Sequence, residues 1–277
     1  MKFQGTQSYI ATEDLMLSVN AAITLQRPLL VKGEPGTGKT MLAEEVATAL
    51  NLPLLQWHIK STTKAQQGLY EYDAVSRLRD SQLADVDGGE RVRNIHNYIV
   101  KGVLWQAFTA EQPVALLIDE IDKADSDFQD DMLDVLDQMQ FDIIEIDKTI
   151  TARRRPVIII TSNAKKDLSD PFLGRCNFHH IAFPDAGMMR LILGVHYPDL
   201  SRDLADGCIE AFYRLRDLRG IEKKPATREL INWVRALKAD PDFQVKSLAR
   251  GNLPYLGILF KKSADLNAAV PQMARMR

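Results

Sequence analysis

The residues with the clearest capacity for chemistry form a glycine-rich stretch near the N-terminus. Residues 33–40 read GEPGTGKT and satisfy the pattern G-x-x-x-x-G-K-[ST]. Glycines lack Cβ atoms, so the main-chain N–H groups of such a loop can wrap a phosphate, and the following helix points its positive end at it. Lys39 would bridge the β and γ oxygens of a triphosphate, and the Thr40 hydroxyl would ligate Mg²⁺. Because the stretch lies between an apolar strand and an amphipathic helix, a phosphate loop is favoured over an incidental glycine-rich turn.

Two carboxylates at the end of an apolar run form the second candidate group. Val114–Ile118 is followed directly by Asp119 and Glu120. Strand ends of this kind face the ligand crevice in open α/β sheets, and carboxylates are rarely buried without a partner. Mg²⁺ with a triphosphate would supply that partner: Asp119 would hold the metal, and Glu120 would polarise the attacking water. The alternative is a helix N-terminus, where acidic residues are favourable without any ligand.

Three further polar residues fit the same chemistry, and each also has an ordinary structural interpretation. Asn163 follows an apolar run and would position the attacking water, although Asn is also a common turn residue. Arg175 lies in a predicted loop; in a ring of subunits it would reach a neighbour's γ-phosphate, and otherwise it is a solvated surface arginine. Arg228 is predicted at the first position of a helix, where a cation opposes the helix dipole. A bound phosphate would offset that cost, as would an ion pair with Glu229 or Asp217.

The elements that must position these residues follow an α/β order. Short, fully apolar runs separated by helical patterns are typical of parallel strands covered on both faces. We therefore expect a P-loop α/β core over residues 1–184, with a central, mostly parallel sheet, a helical insertion at about 61–95 and a hairpin around Asp147. The pattern then becomes helical, which predicts a small all-helical lid domain with a tail over 185–277. The predicted apolar strands are Leu29–Val31, Pro53–Ile59, Val114–Asp119 and Pro156–Thr161. His179 and His180 are expected on a further strand, one side chain facing in and one out.

Composition excludes several classes of protein. The chain has 277 residues, with 35 lysines and arginines against 37 acidic residues and a formal net charge of −2. This balance argues against a generally basic nucleic-acid binder. Two cysteines are too few for a disulfide scaffold and fit a reducing compartment. No apolar run approaches the roughly 20 residues that span a bilayer, and the N-terminus lacks the apolar core of a signal peptide. We therefore expect no membrane span and a cytoplasmic location.

The ordered set of motifs resembles that of MoxR-type AAA+ ATPases. The stretches GEPGTGKT, LLIDEID, IIITSNAKKDLSDPFLGRC and KKPATREL occur in this family's order, and the resemblance extends from Tyr9 to about Leu237. It implies a P-loop AAA+ fold and hydrolysis of ATP with Mg²⁺. The ordered set is far more specific than any one of its motifs.

The resemblance also assigns roles to the residues singled out above. Lys39 and Thr40 would be the Walker A residues, and Asp119 and Glu120 the Walker B residues. The metal ligands would be Thr40 and Asp119. The catalytic set would be Glu120, Asn163 as sensor one, Arg175 as the arginine finger and Arg228 as sensor two. The nucleotide-binding set would be Tyr9 and Ile10, which pack the adenine in the family, with Glu34, Pro35, Gly36, Thr37, Gly38, Lys39, Thr40 and Met41.

The resemblance further implies an assembly and a class of client. The family forms rings, usually hexamers, that bind ATP between subunits and remodel or activate partner complexes, often metalloenzymes. Its partners commonly carry a von Willebrand factor A domain. One position departs from the family, because close relatives often read FLRRC where this chain reads FLGRC. Gly174 thus replaces the first arginine; if that arginine were the true finger, activation between subunits would be weak.

Other functions remain open on the residues alone. They are a nucleic-acid-directed AAA+ motor, a small-molecule P-loop kinase and a nucleotide-gated scaffold that binds ATP without turnover. The kinase leaves the two sensors and the finger unexplained as a set.

Residues 119–147 hold twelve carboxylates and precede three arginines at 153–155, which indicates either solvated surfaces or a contact between subunits. We also hypothesise that part of the 61–95 insertion faces the centre of the ring and contacts the client.

Overall fold

The computed structural model divides the chain into two compact units. The first takes in the chain up to Gly5, then Ala11–Gly33 and Lys39–Ile181; the second takes in Thr6–Ile10, Glu34–Gly38 and the chain from Ala182 onward. A domain boundary after residue 184 stays a prediction. The structure describes residues 2–87, 90–163, 166–249 and 253–274. Parts of the predicted insertion, of one quoted motif and of the predicted tail lie outside these ranges, at 88–89, 164–165, 250–252 and 275–277.

The strands of the first unit form a central sheet and two short pairs. In chain order they are β1 (Leu29–Gly33), β2 (Leu54–His58), β3 (Tyr70–Tyr72), β4 (Ile99–Lys101), β5 (Ala115–Asp119), β6 (Gln140–Ile143), β7 (Lys148–Thr151), β8 (Val157–Ser162) and β9 (Asn177–Ile181). Within the described residues, the sheet has five parallel strands in the order β2-β5-β8-β1-β9. Because β1, β5 and β8 are buried along most of their length, they read as apolar runs without alternation.

Helices flank this sheet, which confirms the predicted α/β class. Those of the first unit are α1 (Glu13–Leu25), α2 (Lys39–Ala49), α3 (Ala65–Leu69), α4 (Ala74–Asp87), α5 (Glu90–Arg93), α6 (Val103–Thr109), α7 (Ser126–Gln138) and α8 (Asp170–Leu173). Short 3₁₀ helices span Ile95–Tyr98, Ile121–Lys123 and Ile144–Ile146. The start of α1 shows the local logic: the Thr12 hydroxyl accepts a hydrogen bond from the Leu15 amide at 3.2 Å, and two acidic residues follow in the first turn.

The insertion at 61–95 contains more regular structure than a helix with loops. Its strand β3 pairs antiparallel with β4, just beyond the insertion, and Tyr70 pairs with Lys101 at one end. Sequence patterns missed this pair, because strands of three residues are too short to show a period. The hairpin predicted around Asp147 is confirmed: β6 and β7 pair antiparallel, and Asp147 adopts the left-handed conformation between them.

An aromatic cluster fills the core beside the sheet of the first unit. Trp105 and Phe141 meet edge to face with ring centroids 6.0 Å apart, and Phe108 lies 6.0 Å from the same Phe141 ring. On another side of this core, the Trp57 ring of β2 lies 5.3 Å from Phe128 of α7. Burying such rings supplies the apolar contact area that holds the flanking helices against the strands.

The second unit is helical in its described residues after Ala182. Its helices are α9 (Ala186–His196), α10 (Arg202–Arg216), α11 (Thr227–Ala239), α12 (Lys246–Ala249), α13 (Leu256–Leu259) and α14 (Ser263–Ala274). Phe212 of α10 and Trp233 of α11 are fully buried in its core, and the Trp233 indole N–H donates to the Pro254 carbonyl at 2.8 Å. The buried Asp265 carboxylate of α14 accepts hydrogen bonds from the amides of Glu222 and Lys223, which fixes the loop before α11.

None of the helices in the described part of the chain is long and apolar enough to cross a membrane.

The contact between α3 and β2 gives a direct test of this packing. A Cβ atom at Gly68 would lie 2.3 Å from the Trp57 ring, whereas one at Gly194, inside α9, would meet nothing within 4 Å. We expect Gly68→Ala to cost about 1–3 kcal/mol through overpacking. Gly194→Ala should instead stabilise α9 by roughly 0.5–1 kcal/mol, because alanine loses less entropy in a helix. Thermal unfolding of both variants measures this, and a Gly68→Ala protein that melts like wild type would contradict the packing.

Candidate functional site

Sheet register brings four of the predicted site residues to one edge. β5 pairs with β8 so that Ile118 lies beside Ile160, and the residues that follow these partners emerge at the carboxyl ends of the strands. Asp119 and Glu120 come from β5, and Asn163 follows β8. Thr40, in the first turn of α2, reaches the same edge. These four residues therefore lie at the same edge of the sheet.

The Asp119 carboxylate has contacts on both oxygens. Its Oδ1 accepts hydrogen bonds from the hydroxyls of Thr161 at 2.6 Å and Thr40 at 3.1 Å. Its Oδ2 lies 3.1 Å from Nδ1 of His58. The residue is only 8% exposed, so these contacts offset most of the cost of burying its charge. Thr161 and His58 were not singled out from the sequence.

Glu120 is held by its neighbours in an unusual backbone conformation. Its φ of 60° and ψ of 49° place it in the left-handed region, which costs a residue with a Cβ atom roughly 1–2 kcal/mol. The Glu120 amide donates to the Thr161 hydroxyl at 2.9 Å, and its Oε1 accepts from Asn163 Nδ2 at 2.7 Å. Its Oε2 forms an ion pair with Lys123 one helical turn on, and this hydrogen bond raises the pKa of Lys123.

Asp122 closes a network between the ends of β5 and β8. It is 2% exposed, and its Oδ1 accepts a hydrogen bond from the Asn163 amide at 3.0 Å. Asn163 is thereby fixed through its main chain by Asp122 and through its side chain by Glu120. A turn alone does not require the second of these contacts, in which the side-chain amide of Asn163 donates to the Glu120 carboxylate.

The phosphate-loop sequence is anchored at both ends in the first unit. Gly33 ends β1 and Lys39 begins α2. Lys39 is 6% exposed, and its Nζ donates to the Gly33 carbonyl at 2.9 Å. The ammonium thus lies at the carboxyl end of β1, and Met41 lies half-buried in the first turn of α2.

The middle of the loop, Glu34–Gly38, groups with the second unit, as do Tyr9 and Ile10. Gly36 and Gly38 have φ of 82° and 86°, which favours glycine at both positions. A Cβ at Gly36 would meet Ala226 Cβ at 2.6 Å, and one at Gly38 would lie 3.2 Å from the Tyr9 ring. The Thr37 hydroxyl donates to the Glu34 carbonyl at 2.9 Å, which tightens the turn around the exposed Pro35.

The two predicted arginines occupy different settings. Arg175, between α8 and β9, is not simply solvated: it pairs with Asp137 at 2.7 Å and donates to the Pro171 carbonyl at 3.0 Å. Its side chain is 31% exposed.

Arg228 is exposed and is the second residue of α11, not the first, because the helix begins at Thr227. The N-cap position belongs to Ala226, whose amide donates to the Glu229 carboxylate at 3.0 Å. Within the described ranges Arg228 forms no ion pair, so the pairing with Glu229 or Asp217 weighed above is not observed.

The donor set fits Mg²⁺ bound together with a phosphate. Among the described residues no cluster of three or more His, Cys, Asp or Glu is placed to hold a metal by itself. Mg²⁺ commonly uses one or two protein oxygens and completes its shell with water and substrate phosphate. The Thr40 hydroxyl and the Asp119 carboxylate, 3.1 Å apart, are oxygen donors of this kind.

Burial raises the thiol pKa of both Cys176 and Cys208 to about 12, which argues against thiol chemistry at either.

Comparison with known proteins identifies the class. Residues 29–184 match the ATPase family associated with various cellular activities (AAA), and the chain belongs to this family. Membership implies nucleotide binding and, in general, ATP hydrolysis, and proteins of this class generally form oligomeric rings. Among solved structures, the chain resembles a point mutant of Thermotoga maritima RuvB with a TM-score of 0.55 and 15% identity, over 90% of this chain and 72% of that chain. No curated protein matches.

Removal of the Thr161 hydroxyl, which contacts both Asp119 and the Glu120 amide, tests the hydrogen-bond network of the site. Thr161→Val keeps the side-chain shape but leaves the Glu120 amide without its acceptor and removes a donor from Asp119. We expect a loss of about 1–3 kcal/mol in unfolding free energy, and a smaller loss for Thr161→Ser. The matched control is Thr149→Val, which removes an exposed 2.6 Å bond to Asp142 and should change stability by less than about 0.5 kcal/mol. Equal denaturant midpoints for the two valine variants would contradict the network.

Proposed function

We propose that this protein is a Mg²⁺-dependent ATPase of the MoxR type that remodels or activates a partner protein complex. The observation that carries the ATPase part is one edge of the sheet. There Thr40 Oγ1 lies 3.1 Å from Asp119 Oδ1, and Asn163 Nδ2 lies 2.7 Å from Glu120 Oε1. Two oxygen donors suited to Mg²⁺ thus lie beside a carboxylate that an amide holds, and this arrangement supports the proposed transfer of a phosphoryl group to water.

Lys39, Thr40 and Asp119 form the proposed binding half of the site. The Lys39 ammonium, held on the Gly33 carbonyl, would bind β- and γ-phosphate oxygens. Thr40 and Asp119 would hold Mg²⁺, which supplies neutralisation of phosphate charge when bound. Main-chain amides of Glu34–Gly38 would surround the phosphates, with Met41 beside them in the first turn of α2. Tyr9 and Ile10 would pack against the adenine.

Glu120 and Asn163 form the proposed hydrolytic half. The Glu120 carboxylate would polarise the attacking water, and the Asn163 amide would orient that water and the carboxylate together. In this structure Glu120 also pairs with Lys123, and a carboxylate engaged on both oxygens is a poor proton acceptor. The ion pair to Lys123 must therefore loosen before water is activated.

Arg228 and Arg175 complete the proposed catalytic set. Gly36 packs against Ala226 within one compact unit, so phosphates held by Glu34–Gly38 would lie near the start of α11 and its exposed Arg228. Arg175 would act as an arginine finger on the nucleotide of a neighbouring subunit in a ring, for which we propose a hexamer.

The MoxR assignment and the nature of the client rest on the order of motifs. Under this proposal residues 1–184 form the nucleotide-binding core, residues 185–277 form a lid and tail, and the insertion at 61–95 contacts the client. A metalloenzyme complex or a protein with a von Willebrand factor A domain is the proposed partner. Measurement of particle size with and without ATP, followed by capture of such partners by the ATP-bound ring, tests this part.

Variants of the binding and hydrolytic halves should separate two activities. Lys39→Ala removes the phosphate-binding ammonium and should abolish measurable ATP binding. Glu120→Gln should bind ATP normally and hydrolyse it roughly 10²–10⁴-fold more slowly, because general-base assistance is lost. Lys148→Ala, at an exposed position of the β6–β7 hairpin, is the control for loss of a lysine. Calorimetry and phosphate release provide the readouts. Full turnover by Glu120→Gln would favour a nucleotide-gated scaffold instead.

Mixing experiments should show whether Arg175 acts between subunits. Arg175→Ala should bind nucleotide normally yet hydrolyse it about 10³-fold more slowly. Addition of Lys39→Ala subunits, which bring an intact Arg175, should restore part of the activity. Arg214→Ala is the matched control, because Arg214 also forms a surface ion pair, to Glu210. Absence of any rescue in mixed rings would contradict action between subunits.

A further inference from the structure

Arg216 is a buried arginine that the sequence patterns gave no reason to notice. It is the last residue of α10 and only 7% exposed. A buried guanidinium is costly unless its donors are paired, so its partners indicate what it is held for.

The guanidinium contacts three groups at once. One terminal nitrogen donates to the Pro225 carbonyl, and the other donates to Glu34 Oε2 at 2.8 Å. Its plane lies over the Phe183 ring, with the central carbon 3.4 Å from the ring centroid. Only a planar, forked cation stacks on an aromatic ring while donating in two directions.

Both polar partners belong to segments that matter to the proposed site. Glu34 is the second residue of the phosphate-loop sequence, and its carbonyl accepts the Thr37 hydroxyl. Pro225 directly precedes Ala226, whose Cβ occupies the space beside Gly36. Arg216 therefore joins the loop to the residue that precedes the N-cap of α11, and all of these residues lie within the second compact unit.

We propose that Arg216 is a positioning residue for nucleotide binding. By holding the Glu34 carboxylate and the Pro225 carbonyl, it fixes the main chain of Glu34–Gly38 in the conformation that receives a nucleoside di- or triphosphate. It fixes the start of α11, with Arg228, in the same step. This inference rests on the proposed function, in which that loop binds phosphates.

The rival explanation is that Arg216 only stabilises the helical core. The two explanations predict different effects of substitution on nucleotide affinity. If Arg216 only stabilises the core, replacing it lowers the melting temperature, and its effect on nucleotide affinity does not depend on Glu34. If Arg216 positions the loop, the effects of replacing Arg216 and Glu34 on nucleotide affinity are not additive, because the two residues act as one unit.

ADP binding is measured by calorimetry at a temperature well below the melting temperature. The proteins compared are wild type, Arg216→Lys, Arg216→Met, Glu34→Gln and the double variant Glu34→Gln/Arg216→Lys. Lysine keeps the charge but cannot reach both partners or stack. Glu34→Gln changes a side chain that is 55% exposed, so its fold is not at risk. Arg190→Met, which breaks an Arg–Asp206 pair at 2.7 Å between α9 and α10, is the matched control.

We expect Arg216→Lys to weaken ADP binding roughly tenfold, Glu34→Gln to weaken it severalfold, and the double variant to bind no worse than Arg216→Lys alone. Arg190→Met should bind ADP like wild type. Wild-type affinity in Arg216→Lys, or losses that multiply in the double variant, would overturn the inference while leaving the proposed ATPase intact. A wild-type protein that binds neither ADP nor ATP would instead overturn the proposed function itself.

Discussion

The parallel register between β5 and β8 is the constraint on which the rest of the site depends. It pairs Ile118 with Ile160, so Asp119 and Thr161 emerge side by side at the carboxyl edge of the sheet. An unpaired buried carboxylate costs several kcal/mol, whereas each hydrogen bond to a charged group contributes about 1.5–3 kcal/mol. Two hydroxyls and the His58 ring supply such contacts to Asp119. β5 ends in two consecutive acidic residues, and the buried one is tolerated because hydrogen-bond donors surround it, among them the Thr161 hydroxyl on the neighbouring strand β8.

The left-handed conformation of Glu120 follows from the same register. The Thr161 hydroxyl donates to Asp119 and accepts from the Glu120 amide, so one side chain fixes the positions of both acidic residues. Strain of this kind persists only where the surroundings determine the backbone, and here the 3₁₀ turn Ile121–Lys123 continues from it. The turn directs the Glu120 side chain toward Asn163 rather than back toward Asp119. Two adjacent carboxylates can therefore have separate partners and, in the proposed mechanism, separate tasks.

Local patterns predicted the framework but not the contacts between distant segments. Buried parallel strands are short apolar runs, so four of the five sheet strands were visible in the sequence. β9 is not an apolar run, because polar residues interrupt it, but the expected strand through His179 and His180, one side chain inward and one outward, is confirmed. Arg216 and His58 were missed for another reason: their partners Glu34 and Asp119 lie far away along the chain, and such pairing leaves no local pattern. The start of α11 was displaced by one residue because an alanine, not a polar side chain, occupies its N-cap position.

The settings of Arg175 and Arg216 decide which of them is able to act on another subunit. Arg216 is buried against an aromatic ring with both terminal nitrogens engaged, and withdrawing it would remove the donor from the buried Pro225 carbonyl and break the contact with Phe183. Leaving a buried carbonyl without its donor costs about 1–3 kcal/mol, so the structure favours Arg216 staying within its own chain. Arg175 pairs with Asp137, a side chain that is 49% exposed, and surface pairs of this kind contribute about 0–1 kcal/mol. In the proposed ring, a phosphate on a neighbouring protomer would offer Arg175 a stronger partner than this exposed carboxylate, so Arg175 could exchange one for the other.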